Sequence, residues 1–243
     1  MDLAGKTALI TGGGSGIGLG IALGLAREGC RVAIAGRNES KLASAAARHP
    51  GPPPILAHPC DVSDRDSVAA LFAWVRANLG SLDILVNSAG INVARRAIAE
   101  LAPEDWDRML AINATGAFHC IHAALPDMRR RQGGLIVNVS SIAGKRAMKL
   151  GGAGYCASKF AMTALGATVG LEERANGIRV TNVYPGEVNT PILADRPTPV
   201  PPARLAQMLV PDDIAAMVVA VAKLPARAVV PELVITPLYQ EYA

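Results

Sequence analysis

The chain has 243 residues, of which 51% are hydrophobic, 18% charged and only 4% aromatic. That composition supplies one large aliphatic core and excludes a disordered or low-complexity chain. A formal charge of +4, with no stripe of basic residues interleaved with aromatics, argues against a nucleic-acid-binding surface. Cys30, Cys60, Cys120 and Cys156 are widely spaced without a C-x-x-C pair, so they read as free thiols of a reducing, cytoplasmic setting. No basic–apolar leader follows Met1, and the apolar run Ile214 to Ala222 is too short for a bilayer, so neither export nor a membrane is expected.

Short aliphatic runs alternate with longer helical patterns along the chain. Thr7 to Ile10 reads as a strand, followed by the turn Gly12-Gly13-Gly14-Ser15-Gly16 and a helix to about Glu28, which Gly29 stops. Arg31 to Ala35 is a second strand, Glu39 to Arg48 a helix, Pro50 to Pro54 a connector and Ile55 to Ala57 a third strand. Ser63 or Asp64 caps a helix reaching Leu79, and Leu82 to Val86 is the fourth strand. A long helix starts near Pro103 and carries His119 and His122 at i, i+3, with no third metal ligand evident nearby. Leu135 to Val139, a helix over Ala153 to Ala175, and Arg179 to Val183 come next. The stretch Pro191 to Pro202 is too proline-rich to predict as regular. A helix over Asp212 to Leu224 and a strand at Leu233 to Ile235 end the chain. Strand–helix alternation with few hairpin signals predicts an α/β fold, a doubly wound parallel sheet with helices on both faces, in one domain. Ligands of such sheets bind beyond the carboxyl ends of the strands.

The chemistry-bearing residues fall at those ends. In Thr11-Gly12-x-x-x-Gly16-x-Gly18, Gly12 allows a sharp turn, Gly16 a close approach of backbone N–H groups to a pyrophosphate, and Gly18 close helix–strand packing. Ser15 and Ile17 belong to the same turn. After the second strand stands Gly36-Arg37-Asn38, with a guanidinium where a carboxylate would favour NAD; Arg37 suits a 2′-phosphate, which points to NADP with NAD left open. Tyr155 and Lys159, four apart on one helix, share a face, and a neighbouring ammonium favours the phenolate of a tyrosine that exchanges a proton.

The spacing T-G-x-x-x-G-x-G resembles the short-chain dehydrogenase/reductase family. The resemblance continues through Asp61-Val62, Asn87-Ser88-Ala89-Gly90, Asn113, Asn138-x-Ser140-Ser141, Tyr155-x-x-x-Lys159 and Pro185-Gly186, in family order. It implies a seven-stranded Rossmann-like fold, a nicotinamide cofactor, carbonyl–alcohol redox chemistry on a small molecule, and a homodimer or homotetramer. It further implies that Asp61 and Val62 contact adenine and that Asn87, Ala89 and Gly90 line the adenine ribose. Pro185, Gly186, Val188 and Thr190 would hold the carboxamide, while Lys159 would hold the nicotinamide ribose. Asn113 would bind a water linked to Lys159, and Ser141 would donate to the substrate oxygen. Ser141 lies one residue further from Tyr155 than the family spacing, an insertion that leaves Ser140 as the alternative.

The substrate site is expected from Ile142 to Gly154 and a lid over roughly residues 190–210. Lys145, Arg146 and Lys149 either attract an acidic substrate or form a solvated loop face. The tail from Pro231 to Ala243 faintly resembles the ends of 3-hydroxy acid and serine dehydrogenases; a 3-oxoacyl-thioester reductase is the alternative activity. A dinucleotide-sensing regulatory protein would keep the glycine turn but would not need Ser141, Tyr155 and Lys159 together.

Overall fold

The computed structural model describes residues 2–241, so Tyr242 and Ala243 of the tail motif lie outside the described residues. Seven strands, β1 (Thr7–Thr11), β2 (Arg31–Gly36), β3 (Leu56–Pro59), β4 (Ile84–Asn87), β5 (Gly134–Val139), β6 (Ile178–Pro185) and β7 (Glu232–Ile235), form one sheet. Their order is β3-β2-β1-β4-β5-β6-β7, and every pairing is parallel. The helices are α1 (Gly16–Arg27), α2 (Glu39–Ala46), α3 (Arg65–Leu79), α4 (Pro103–Leu110), α5 (Gly116–Arg130), α6 (Ala153–Glu172), α7 (Pro202–Leu205) and α8 (Pro211–Lys223). This is the doubly wound sheet that the alternating pattern predicts.

Successive strand residues point to opposite faces, so each strand feeds two cores. Ile10, Ile34, Val86 and Val137 pack with Leu19, Ile21 and Leu25 of α1, Leu42 of α2, and Ile214 and Val218 of α8. Leu9, Ala33, Leu85 and Ile136 pack on the other face with Leu71 and Val75 of α3, Ile121 and Met128 of α5, and Val169 of α6. Few aromatics are needed because branched aliphatic side chains fill both layers. Across the middle of the sheet, Asn87, Asn138 and Asn182 stand in register. Their buried amides form a chain, Asn87 Nδ2 to Asn138 Oδ1 at 2.9 Å and Asn138 Nδ2 to Asn182 Oδ1 at 3.0 Å. Strand order reverses between β1 and β4, which opens a crevice above their carboxyl ends.

Of the two caps the sequence offers for α3, Asp64 takes the position, its carboxylate accepting from Asp66 N at 3.0 Å. Several other local expectations are corrected. The long helix from Pro103 is interrupted by a π-helical turn over Ala111–Thr115. The helix from Ala153 ends at Glu172, and Arg174–Asn176 is a 3₁₀ turn. The proline-rich stretch is partly regular: Pro191–Asp195 is a 3₁₀ helix and Pro202 opens α7, because proline is tolerated in a first helical turn. Among the described residues, no helix is long and apolar enough to cross a membrane.

Candidate active site

A cleft of about 540 Å³ lies over the carboxyl ends of the central strands. The glycine turn forms its floor. Gly12 has φ of +67°, and a Cβ there would stand 2.8 Å from Ala89 Cα and from Ser88 O, so only glycine lets the turn reach the loop after β4. A Cβ at Gly18 would lie 2.5 Å from Gly12 O, which fixes how closely α1 packs on the turn that precedes it. Gly12, Ser15, Gly16, Ile17 and Gly18 all line the cleft beneath the α1 N-terminus. Open donors and the helix dipole there suit an anion.

At one end, Arg37 and Lys41 flank the cleft. Lys41 escapes the sequence reading because it is brought beside Arg37 by the first turn of α2. Asn38 makes that turn: its side chain accepts from Lys41 N at 2.9 Å, so Asn38 acts as the helix cap and does not line the cleft. Asp61 lies just outside. Burial pushes its carboxyl up, but two hydrogen bonds from Ser63 and the charge of Arg37 outweigh that and hold it below the usual aspartate range. Val62 does not line the cleft either; its carbonyl meets His119 Nδ1 at 3.1 Å while Arg65 Nε reaches His119 Nε2 at 3.2 Å. His119 is thereby placed in a hydrogen-bond chain behind the site. Asn87 and Ala89 stand behind the cleft wall, where Gly90 is exposed to it.

The other end gathers Ser141, Tyr155 and Lys159. Ser141 sits just past the end of β5 and shares the cleft with Tyr155, where its hydroxyl favours the ionised form of the phenol. It also accepts from Ala143 N at 3.1 Å, which starts a short 3₁₀ turn. Ser140 turns toward α6, its hydroxyl 3.1 Å from Lys159 O and 3.3 Å from Thr163 Oγ1. The extra residue before Tyr155 is absorbed in the loop between Ser141 and α6, so Ser141 is the serine that meets the tyrosine.

Burial raises the Tyr155 hydroxyl above its ordinary value, with the Ser141 hydroxyl and the positive charge of Arg96 opposing. From sequence that field is expected of Lys159 and the oxidised nicotinamide; Arg96 carries no local signal for it. Lys159, 4% exposed, donates to Val139 O at 2.9 Å, and its ammonium lies 5.7 Å from the Tyr155 ring centre. Burial brings its pKa down from 10.5 to about 8. Asn113 is fully buried in the π-helical turn. Its side chain clamps the loop after β4, accepting from Ile91 N at 2.8 Å and donating to Ile91 O, and it also donates to Ser158 Oγ at 2.9 Å.

Pro185, Gly186, Val188 and Thr190 line the remaining wall. Between them, Glu187 binds Arg196 at 2.8 Å, Arg204 at 2.9 Å and the Tyr239 hydroxyl at 2.8 Å. Gln240 Oε1 accepts from Glu187 N at 2.9 Å and reaches the cleft. No local motif marks Glu187 or Gln240, because their partners come from distant segments. Lys145, Arg146 and Lys149 do not line the cleft. Lys145 instead pairs with Glu232 of β7 and lies 4.8 Å over the Tyr184 ring.

A parallel sheet with a glycine cradle at its switch point, and a Ser–Tyr–Lys group beside it, defines a dinucleotide-dependent oxidoreductase site. Residues 6–200 match the family described as short chain dehydrogenase, and the chain belongs to that family. It is 36% identical over 191 residues to the D-beta-hydroxybutyrate dehydrogenase of Rhizobium meliloti, covering 77% of this chain and 73% of that one. Among solved structures it is similar to an alcohol dehydrogenase of Thermococcus sibiricus complexed with 5-hydroxy-NADP, at TM-score 0.87 and 30% identity over 98% and 99% of the two chains. It is also similar to a serine dehydrogenase complexed with NADP+, at TM-score 0.88 and 27% identity over 98% and 97%.

Proposed function

We propose that the chain interconverts a small-molecule carbonyl and a secondary alcohol with NADP, Tyr155 moving the proton. The observation that carries this reading is that Ser141, Tyr155 and Lys159 share one cleft with the glycine turn. The cofactor fits by the chemistry of the wall. Gly12, Ser15, Gly16, Ile17 and Gly18 would cradle the pyrophosphate, Arg37 and Lys41 the 2′-phosphate, and Lys159 the nicotinamide ribose. Pro185, Gly186, Val188 and Thr190 would bind the carboxamide. Gly90 would line the neighbouring ribose and Asp61, at the cleft's edge, would serve adenine, while Val62, Asn87 and Ala89 stand behind the wall and would support it. Arg37 and Lys41 together favour NADP, with NAD as a weaker cofactor.

When bound, the reduced nicotinamide supplies hydride to the carbonyl carbon. The Tyr155 hydroxyl gives its proton to the carbonyl oxygen, and the reverse reaction returns it. A hydroxyl kept protonated by burial suits the reductive direction. Ser141 donates to the same oxygen as charge grows on it, which stabilises the transition state more than the ground state. Lys159 lines the cleft with Tyr155 and has N–H groups beyond the one given to Val139 O, which would serve the ribose. Asn113 holds the loop after β4 against α6 and so fixes the cleft's width; a water between it and Lys159 would complete a proton path.

The segment from 191 to 210, braced by Glu187, would act as a cover over the substrate. Exposed Phe118, Phe160 and Leu171 on α5 and α6 would pack in a homodimer or homotetramer, which light scattering checks. The test of the activity is a panel of ketones, aldehydes, 3-oxoacyl thioesters and oxo acids, assayed with NADPH and NADH. NADPH oxidation tied to alcohol formation supports the reading. Failure of every carbonyl, with NADPH bound, would favour a dinucleotide sensor instead.

A further inference from the structure

Arg96 stands in the cleft wall with only 7% of its surface exposed. Its Nε donates to Val93 O at 2.7 Å, Nη1 to Leu150 O at 3.1 Å and Nη2 to Asp195 O. The loop after β4, the stretch before α6 and the segment after Thr190 therefore converge on one guanidinium. These partners are carbonyls, which carry partial charge only. Among the described residues, no carboxylate forms an ion pair with Arg96, and the nearby Glu187 is committed to Arg196, Arg204 and Tyr239.

A buried ion without a paired counter-charge is costly, because hydrogen bonds to neutral groups do not replace its hydration. Burial and the like charge of Arg196 disfavour the protonated Arg96; the Asp195 carboxylate, which forms no ion pair with it, and Tyr155 act the other way, and burial prevails. A brace for three carbonyls could be built from neutral amide donors at no such cost. A permanent charge here needs a partner that arrives from the cleft. A guanidinium has five N–H groups, and three are used, so each terminal nitrogen keeps one. Arg96 and Tyr155 line the same cleft, and the charge of Arg96 favours the phenolate. An anionic group bound to Arg96 would share that cleft with the reacting carbonyl.

We propose that Arg96 is the carboxylate anchor of the substrate site and that the substrate is a short 2- or 3-oxo acid, or the matching hydroxy acid in reverse. This deepens the carbonyl–alcohol reading and rests on it. Planar pairing of guanidinium with carboxylate supplies both charge and orientation. It holds the carbonyl oxygen toward Ser141 and Tyr155. The basic cluster outside the cleft is not required.

Two measurements test the proposal. The first compares kcat/KM for 3-oxobutanoate and 2-oxobutanoate with that for their neutral amides, using NADPH, in wild type, Arg96→Gln, Arg96→Lys and Arg95→Gln. Arg95 is exposed and controls for the loss of a charge. The wild type should prefer the acids, and Arg96→Gln should cut the acid-to-amide ratio by roughly 30-fold or more, the scale for removing one partner of a buried charge pair. Arg96→Lys should recover part of it, and Arg95→Gln should leave it unchanged. The second measurement needs no variant: calorimetry of butanoate and butanamide with the NADP+-loaded wild type should show carboxylate-selective binding. Equal binding of acid and amide overturns the proposal. So does a proportional fall of acid and amide turnover in Arg96→Gln, which marks a brace only. Turnover of neutral ketones without acid preference sinks the carboxylate anchor alone, whereas no turnover of any carbonyl sinks the reading beneath it.

Discussion

Replacing Lys159 with Met isolates how much the fold gives up to keep a buried ammonium beside Tyr155. Lys159 has one carbonyl partner, Val139 O at 2.9 Å, and burial brings its pKa from 10.5 to about 8. Between those two values the unfolded chain holds the proton more tightly than the folded protein, so stability rises with pH across that window. Below pH 8 the full cost is present, about 3 kcal/mol at about 1.4 kcal/mol per tenfold change in proton affinity. Met keeps the aliphatic stem but leaves Val139 O without its donor, a loss of about 1 kcal/mol. Cofactor-free Lys159→Met should therefore be more stable than wild type at pH 7 by about 2 kcal/mol, or about 4–8 °C in Tm. The gap should close, and then reverse, as pH rises toward 10.5. Thermal melts of both proteins at several pH values read this directly. A gap that stays constant, or widens with pH, would refute the burial argument. A mutant that melts higher yet turns over no substrate would show stability exchanged for function.

Two further substitutions probe the cleft. Ser141→Ala should lower kcat by roughly 100-fold by removing a donor to the reacting oxygen. Ser140→Ala should instead cost about 1 kcal/mol of stability without a comparable loss of kcat, since its hydroxyl serves Lys159 O. Steady-state kinetics and melts on the pair separate the roles, and the reverse order would show the serines exchanged. Arg37→Ala should raise KM for NADPH roughly tenfold, as expected for losing a charge-assisted bond, with little change for NADH. Equal effects on both cofactors would contradict a phosphate contact.

What the sequence makes legible is local. The glycine turn declares itself because Gly12, Gly16 and Gly18 answer backbone needs within one strand–turn–helix unit. The Tyr155–Lys159 pair declares itself through helical spacing. Strand–helix alternation predicts the doubly wound sheet because the central strands are buried on both faces and read as aliphatic runs. Three features were hidden for physical reasons. The π-helical turn at Ala111–Thr115 leaves the apolar pattern of the long helix intact, so periodicity passes over it. The prolines after Thr190 suggest irregular chain, yet Pro191 and Pro202 stand where a helix needs no N–H. Arg96 and Glu187 gain their meaning from contacts up to 99 and 52 residues away, which no local pattern encodes. The cluster of Lys145, Arg146 and Lys149 drew attention by its density of charge, while the cation buried at the cleft had only the exposed Arg95 beside it in sequence.

The central claim, that Tyr155 moves the proton within a cofactor-loaded cleft, is tested most directly by Tyr155→Phe, which deletes one oxygen and leaves the ring. Single-turnover reduction of a carbonyl substrate of the wild type should be measured beside NADPH binding in the same preparations. The account predicts unchanged NADPH affinity and a rate lower by roughly 100- to 10,000-fold, the range of positioned proton transfer. A variant that reduces the substrate at a rate near that of wild type would contradict it.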